Sequence, residues 1–185
     1  QTNIIHGCHL NNINNLIFLG SSCVYPKKCK LPIKEGYLLS GKLEVTNEPY
    51  AIAKIAGIKM CESYNKQYNR NYISLMPTNT FGPGDNYDLE NSHFIPAILR
   101  KLHQAKINKK KFIHLWGTGK PKREIIYVDD LANAIIYFIN KKTSHSLINI
   151  GNSKEYSIKN IANKIVKILD LKIKIKFDGN AKFDG

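Results

Sequence analysis

Leu16-Ile17-Phe18-Leu19-Gly20-Ser21-Ser22 sets the reading of this chain. Four apolar residues in a row have the length of a strand. An unbroken run of this kind suits a strand covered on both faces, as in a parallel sheet flanked by helices. Gly20 and the two serines end the run. Ligands of open α/β sheets bind outside the carboxyl ends of the strands, so Ser21 and Ser22 stand where a ligand would be met.

Working outward, Ile4 to Ile13 reads as the end of an amphipathic helix, and the polar stretch Lys27 to Glu48 as a long loop. Thr46-Asn-Glu-Pro49 is a helix-start signal, with a capping residue and a proline near the first turn. The helix is expected from Pro49 to Tyr68, with Ile52, Ile55, Ala56 and Met60 at helical spacing. Tyr72 to Met76 is the next strand, and Thr78 to Asn91 a loop. Helices are expected over His93–Gln104, Asp129–Asn140 (capped by Asp129) and Ser157–Leu169, and strands over 112–116, 124–128, 146–150 and 172–177. Strands alternating with helices predict an α/β fold with a parallel sheet and helices on both faces.

The net charge of +14 raises a nucleic-acid reading. Only Arg70, Arg100 and Arg123 are arginines among the 28 Lys and Arg residues, and Asn and Ile are abundant too. That is what AT-rich codons supply, whereas a nucleic-acid face favours Arg with interleaved aromatics. No nucleic-acid partner is expected. Cys8, Cys23, Cys29 and Cys61 form no Cys-x-x-Cys pair and have no His at metal spacing, so a metal-free protein of the reducing cytoplasm is expected. No apolar run reaches the roughly eighteen residues of a membrane span, and Gln1 to Asn15 does not read as a signal peptide.

Tyr50 and Lys54 lie four apart on the expected helix and so share a face. A phenol with its ordinary pKa of about 10 is a poor acid at neutral pH. A nearby ammonium stabilises the phenolate and lets the tyrosine exchange a proton with a carbonyl or hydroxyl. Tyr-x-x-x-Lys alone also occurs by chance on amphipathic helices. Its context adds weight. Ser21 ends one strand, and Pro77-Thr78-Asn79-Thr80 ends the next before Phe81-Gly-Pro83 turns the chain.

Taken together, Leu19-Gly-Ser-Ser-Cys-Val-Tyr-Pro26, Asn47-Glu-Pro-Tyr-Ala-Ile-Ala-Lys54, Pro77-Thr-Asn79, Asn91-Ser-His-Phe-Ile-Pro96, Trp116-Gly-Thr-Gly119, Arg123-Glu124 and Tyr127-Val-Asp-Asp130 resemble the GDP-L-fucose synthase family of extended short-chain dehydrogenases/reductases. The resemblance implies 3,5-epimerisation of GDP-4-keto-6-deoxy-D-mannose followed by NADPH-dependent reduction at C4. Ser21, Cys23, Tyr50, Lys54 and His93 match the catalytic positions, with Cys23 and His93 as the epimerising acid/base pair. A thiol and an imidazole both suit proton exchange near neutral pH. By themselves, Cys23 reads first as a small buried hydrophobe and His93 as a helix-start or surface residue; the resemblance reverses both readings.

Leu19, Gly20, Ser21, Ser22, Tyr50, Lys54, Pro77, Thr78, Asn79, Thr80 and His93 match NADP(H)-contacting positions, and Lys101, Trp116, Arg123 and Asp184 match substrate-contacting ones. Alone, Trp116 reads equally as a core aromatic and Arg123 as a surface cation. Lys101 stands where relatives often carry Arg; it keeps the charge but loses the fork.

The resemblance divides the chain into residues 1–82, the C-terminal part of an NADP-binding Rossmann domain, and 83–185, mainly substrate-binding with segments returning to the first. The cofactor fingerprint Gly-x-x-Gly-x-x-Gly does not occur, and the chain starts at Gln1 rather than Met. The expectation is a partial Rossmann-type sheet lacking its first βαβ units, roughly eighty to ninety residues, and cut at the C-terminus. Such a chain would expose the Leu16 strand as a sheet edge and bind NADPH weakly alone. A GDP-sugar is the expected substrate and a homodimer the expected assembly of the complete form. The alternatives are a related sugar-nucleotide 4-epimerase or dehydratase, and a non-catalytic remnant.

Overall fold

The computed structural model describes residues 1–141 and 143–183. In chain order the elements are α1 (Thr2–Leu10), β1 (Asn15–Leu19), α2 (Glu48–Tyr68), β2 (Asn71–Pro77), β3 (Asn79–Phe81), α3 (Phe94–Ile107), β4 (Phe112–Leu115), β5 (Lys122–Tyr127), α4 (Val128–Asn140), β6 (Leu147–Ile150), β7 (Glu155–Ser157), α5 (Ile158–Ile168) and β8 (Lys174–Phe177). They divide into two units, Gln1–Thr80 with Ile126–Gly151, and Phe81–Ile125 with Asn152–Gly185.

The first unit is built on a parallel sheet in the order β1-β2-β6. Leu16 pairs with Tyr72 and Ser74 with Leu147. Side chains alternate across a strand, so β2 serves two cores. Tyr72 and Met76 join Phe18, Ile55 and Ile58 under α1 and α2. Ile73 and Leu75 join Leu131 and Ile150 under α4. Helices therefore do cover both faces. The strand buried on both sides is β2, whereas in β1 only Phe18 is buried and Leu19 is 40% exposed. The reason is position: among the described residues β1 pairs with β2 alone, and an edge strand is covered less.

α2 crosses β1 closely at Gly57. A Cβ there would sit 2.4 Å from Phe18 Cζ. Pro49 lies in the first turn of α2, as its sequence suggests, but no side chain caps the helix. Thr46 instead directs its amide and hydroxyl to Glu44 Oε1, each at 3.4 Å, within a short 3-10 turn. Asp129 is likewise not a cap. Tyr127 holds the N-cap position of α4, and Asp129 and Asp130 occupy its first turn, where carboxylates favour the positive end of the helix dipole.

In the second unit β4 and β8 run parallel, Ile113 opposite Ile175. Ile113 and Leu115 face inward onto Ile98 and Leu102 of α3 and Ala162 of α5. The strands are not all parallel as the sequence suggests: Lys122–Glu124 of β5 pair antiparallel with β7. β7 is three residues long, too short to show a period in sequence.

Candidate active site

Gly20 follows the last residue of β1, and its amide donates to the Leu75 carbonyl at 2.8 Å. A Cβ on residue 20 would fall 2.3 Å from Met76 Cε and 2.5 Å from its Sδ, so the end of that flexible side chain would have to shift to admit one. Ser21 then caps a 3-10 turn over Ser22–Val24, its Oγ accepting from the Cys23 amide at 3.2 Å. Cys23 is half-buried, directly before the buried pair Val24 and Tyr25. The turn packs against α2.

On α2, Lys54 reaches back to this strand end. Its Nζ donates to the Leu19 carbonyl at 2.8 Å. The same ammonium lies 5.7 Å from the centre of the Tyr50 ring and 5.4 Å from that of Phe18. Tyr50 is 48% exposed, so its phenol is open to a ligand. Strand end, lysine and tyrosine thus form one cluster within the first unit. A positive charge held beside an accessible phenol is the arrangement that supports proton transfer from tyrosine.

Beside it, the end of β2 continues into Pro77–Thr80. The Thr78 amide donates to the Ile150 carbonyl at 3.0 Å, and the Thr80 hydroxyl to the Thr78 carbonyl at 3.3 Å. Thr78 Oγ1 is buried without a hydrogen-bond partner. Buried hydroxyls are rarely left so, and one at a strand's carboxyl end is suited to a ligand there.

His93, in the second unit, is exposed and holds the N-cap position of α3 without a capping bond. Lys101, Trp116 and Arg123 line one cleft of about 250 Å³ in that unit. Lys101 Nζ lies 4.9 Å from the Trp116 ring centre and donates to the His114 carbonyl at 3.2 Å. Partial burial pulls the Lys101 pKa below the usual lysine range, against the pull of the Asp178 carboxylate. Trp116 is 62% exposed, so it is a rim residue rather than a core aromatic. Arg123 Nη1 donates to the Lys122 carbonyl at 2.9 Å. Asp184 lies outside the described residues.

Two groups of residues went unread in the sequence. Tyr25 donates to Asn149 Oδ1 at 2.6 Å, while the Asn149 amide donates to Glu35 Oε1 at 2.9 Å and its side chain to the Ile33 carbonyl at 3.1 Å. This network ties the long loop after β1 to β6. Burial, with the Glu35 carboxylate adding to it, pushes the Tyr25 pKa up to about 12. The second group is Leu89, Glu90 and Ser92, which line the cleft from the loop before α3. Their nearest sequence signal is the Asx-rich run Asp85-Asn-Tyr-Asp88, which marks a structured turn.

Comparison with known proteins matches residues 1–151 to the Epimerase family, described as the NAD dependent epimerase/dehydratase family. The chain is 48% identical to a GDP-L-fucose synthase of Escherichia coli strain K12, over all of this chain and 60% of that protein. It is 40% identical to a GDP-L-colitose synthase of Yersinia pseudotuberculosis, over 95% of this chain and 58% of that one. A solved GDP-L-fucose synthetase from Naegleria fowleri, bound to NADP, superposes with a TM-score of 0.90 at 29% identity, covering 96% of this chain and 55% of its own. The chain thus spans about 60% of the length of the E. coli relative.

Proposed function

We propose, from the premise that this chain belongs to the NAD dependent epimerase/dehydratase family, that it carries the catalytic residues of an NADPH-dependent enzyme converting GDP-4-keto-6-deoxy-D-mannose to GDP-L-fucose. The observation that carries the reading is the Lys54 ammonium, anchored on the last carbonyl of β1 and set beside an accessible Tyr50. The relatives' names supply the sugar nucleotide.

The residues divide the work as follows. The C4 carbonyl of the substrate acidifies the hydrogens at C3 and C5, because each resulting carbanion is an enolate. Cys23 and His93 remove and return those protons, inverting both centres. The Ser21 hydroxyl hydrogen-bonds the C4 oxygen and favours the charge that gathers there. Tyr50 gives that oxygen its proton, and Lys54 stabilises the phenolate left behind. NADPH, when bound, supplies hydride to C4. The orphaned Thr78 hydroxyl, with Gly20–Ser22 and Asn79, fits a dinucleotide at the strand ends. Lys101 and Arg123 meet the diphosphate, and Trp116 offers a stacking face.

No helix among the described residues is long and apolar enough to cross a membrane, and Cys8, Cys23, Cys29 and Cys61 are free thiols. A cytoplasmic enzyme accords with both. A homodimer through α1 and α2 belongs to the same reading, Ile4 and Ile52 on them being exposed.

The test supplies the purified protein with GDP-4-keto-6-deoxy-D-mannose and a large excess of NADPH, which offsets the weak cofactor binding expected of this chain alone. Substrate-dependent loss of NADPH absorbance with formation of GDP-L-fucose is expected. A product reduced at C4 but unchanged at C3 and C5 would replace the reading with a plain 4-reductase.

A further inference from the structure

The cleft in the second unit holds a carboxylate as well as two cations. Lys101 and Arg123 suit an anion, yet Glu90 lines the same space. A ligand that was negative throughout would be repelled by Glu90. The charge pattern asks for a ligand with an anionic end and a separate end rich in hydrogen-bond donors. Leu89, Phe94 and Pro121 add apolar walls suited to a flat ring.

The loop presenting Glu90 is built to hold it. Asp88 Oδ1 accepts from the Glu90 amide at 3.0 Å, the Asn91 amide at 2.8 Å and the Asn91 side chain at 3.1 Å. The Asp88 carbonyl accepts from the Ser92 amide at 3.1 Å. These donations, led by the Asn91 amide, hold the Asp88 carboxyl below the usual carboxylate range. Ser92 is also among the residues that line the cleft, and its hydroxyl is buried without a hydrogen-bond partner. A hydroxyl left so in a cleft wall gains a partner when its side chain turns toward a bound ligand.

We infer that Glu90 reads the nucleobase and makes the cleft selective for guanine, with Ser92 as a second polar contact. The inference rests on the nucleotide-sugar reading above. Guanine presents N1–H and its 2-amino group side by side, two donors that match the two oxygens of one carboxylate. Adenine sets one amino group beside an acceptor nitrogen, and uracil sets one N–H between two carbonyls, so neither offers the pair. A site that hydrogen-bonds a donor discriminates strongly against an analogue lacking it, because its own polar group is left unpaired.

Calorimetric titration of the chain with GDP, IDP and 2′-deoxy-GDP tests this. IDP lacks only the 2-amino group. The native chain is expected to bind GDP at least about tenfold more tightly than IDP. Glu90→Gln, at an exposed position with an unchanged melting midpoint as its folding control, is expected to bring the two within about twofold. Its amide keeps one acceptor and sets a donor against guanine's second donor. A GDP preference that survives Glu90→Gln overturns the inference while leaving the nucleotide-sugar reading in place. So does a variant that alters discrimination against 2′-deoxy-GDP instead, since Glu90 would then hold the ribose diol. Absence of GDP binding by the native chain overturns both.

Discussion

The Leu19 carbonyl accepts the Lys54 ammonium at 2.8 Å, joining the last residue of β1 to the second turn of α2. That bond fixes the charge one turn from Tyr50, whose ring centre lies 5.7 Å from it. Lys54→Met keeps most of the stem but removes the charge. The variant is expected to fold normally and to lose about 10²–10⁴ of the NADPH oxidation rate, the usual scale of a proton-transfer contribution. Steady-state rates beside a circular-dichroism melt check both halves of the expectation.

Gly57 sets how near α2 comes to the sheet. A methyl on residue 57 would meet Phe18 Cζ at 2.4 Å, and that ring is buried and cannot simply swing away. Gly57→Ala is therefore expected to cost about 1–3 kcal/mol in urea unfolding, the scale of overpacking. Adding Phe18→Leu should recover part of the loss, because the two residues share one contact.

This close crossing shows what the sequence could and could not convey. α2 was legible from Pro49 and the helical spacing of its apolar residues, and β2 from Tyr72 to Met76, but the buried face of α2 was not: Ile52 and Ala56 are exposed, while Ala51, Ile58 and Cys61 join Ile55 in the core. Gly57 carried no such signal, since its importance comes from a ring nearly forty positions away. The apolar run Leu16–Leu19 by itself suggested burial on both faces, because a run reports composition and not the number of neighbours a strand has; its edge position followed only from the resemblance. Glu90 and Ser92 were missed for a related reason. They sit in a polar loop without periodicity, and only the folding of α3, β4 and α5 around it makes a cleft of them.

Lys101 gives the cleft a dependence on pH. Burial lowers its pKa, and a lysine is charged only below its pKa. Affinity for GDP is therefore expected to be full on the acid side and to fall as pH rises through that lowered value. Lys101→Arg, charged throughout, should flatten the fall. Titrations between about pH 7 and pH 10 compare the two chains.

Tyr25 couples stability to alkaline pH. Its folded pKa is raised to about 12, above the unfolded value of about 10. The unfolded chain then loses this proton first, so the contribution is complete below about pH 10 and is lost as pH rises through the folded value. Tyr25→Phe removes that dependence. It also removes the bond to Asn149, which should cost about 0.5–1.5 kcal/mol at neutral pH. Urea midpoints at neutral and alkaline pH separate the two effects.

The most direct measurement runs the reaction in D2O and follows deuterium at C3 and C5 of the sugar by NMR. With Cys23 and His93 exchanging protons beside a C4 ketone, both positions should take up solvent deuterium. Tyr50→Phe should keep that exchange while losing reduction, and Cys23→Ser should lose the exchange. Reduction at C4 without deuterium at either carbon, or full exchange in Cys23→Ser, would contradict the assignment of an epimerase and a reductase to this one set of residues.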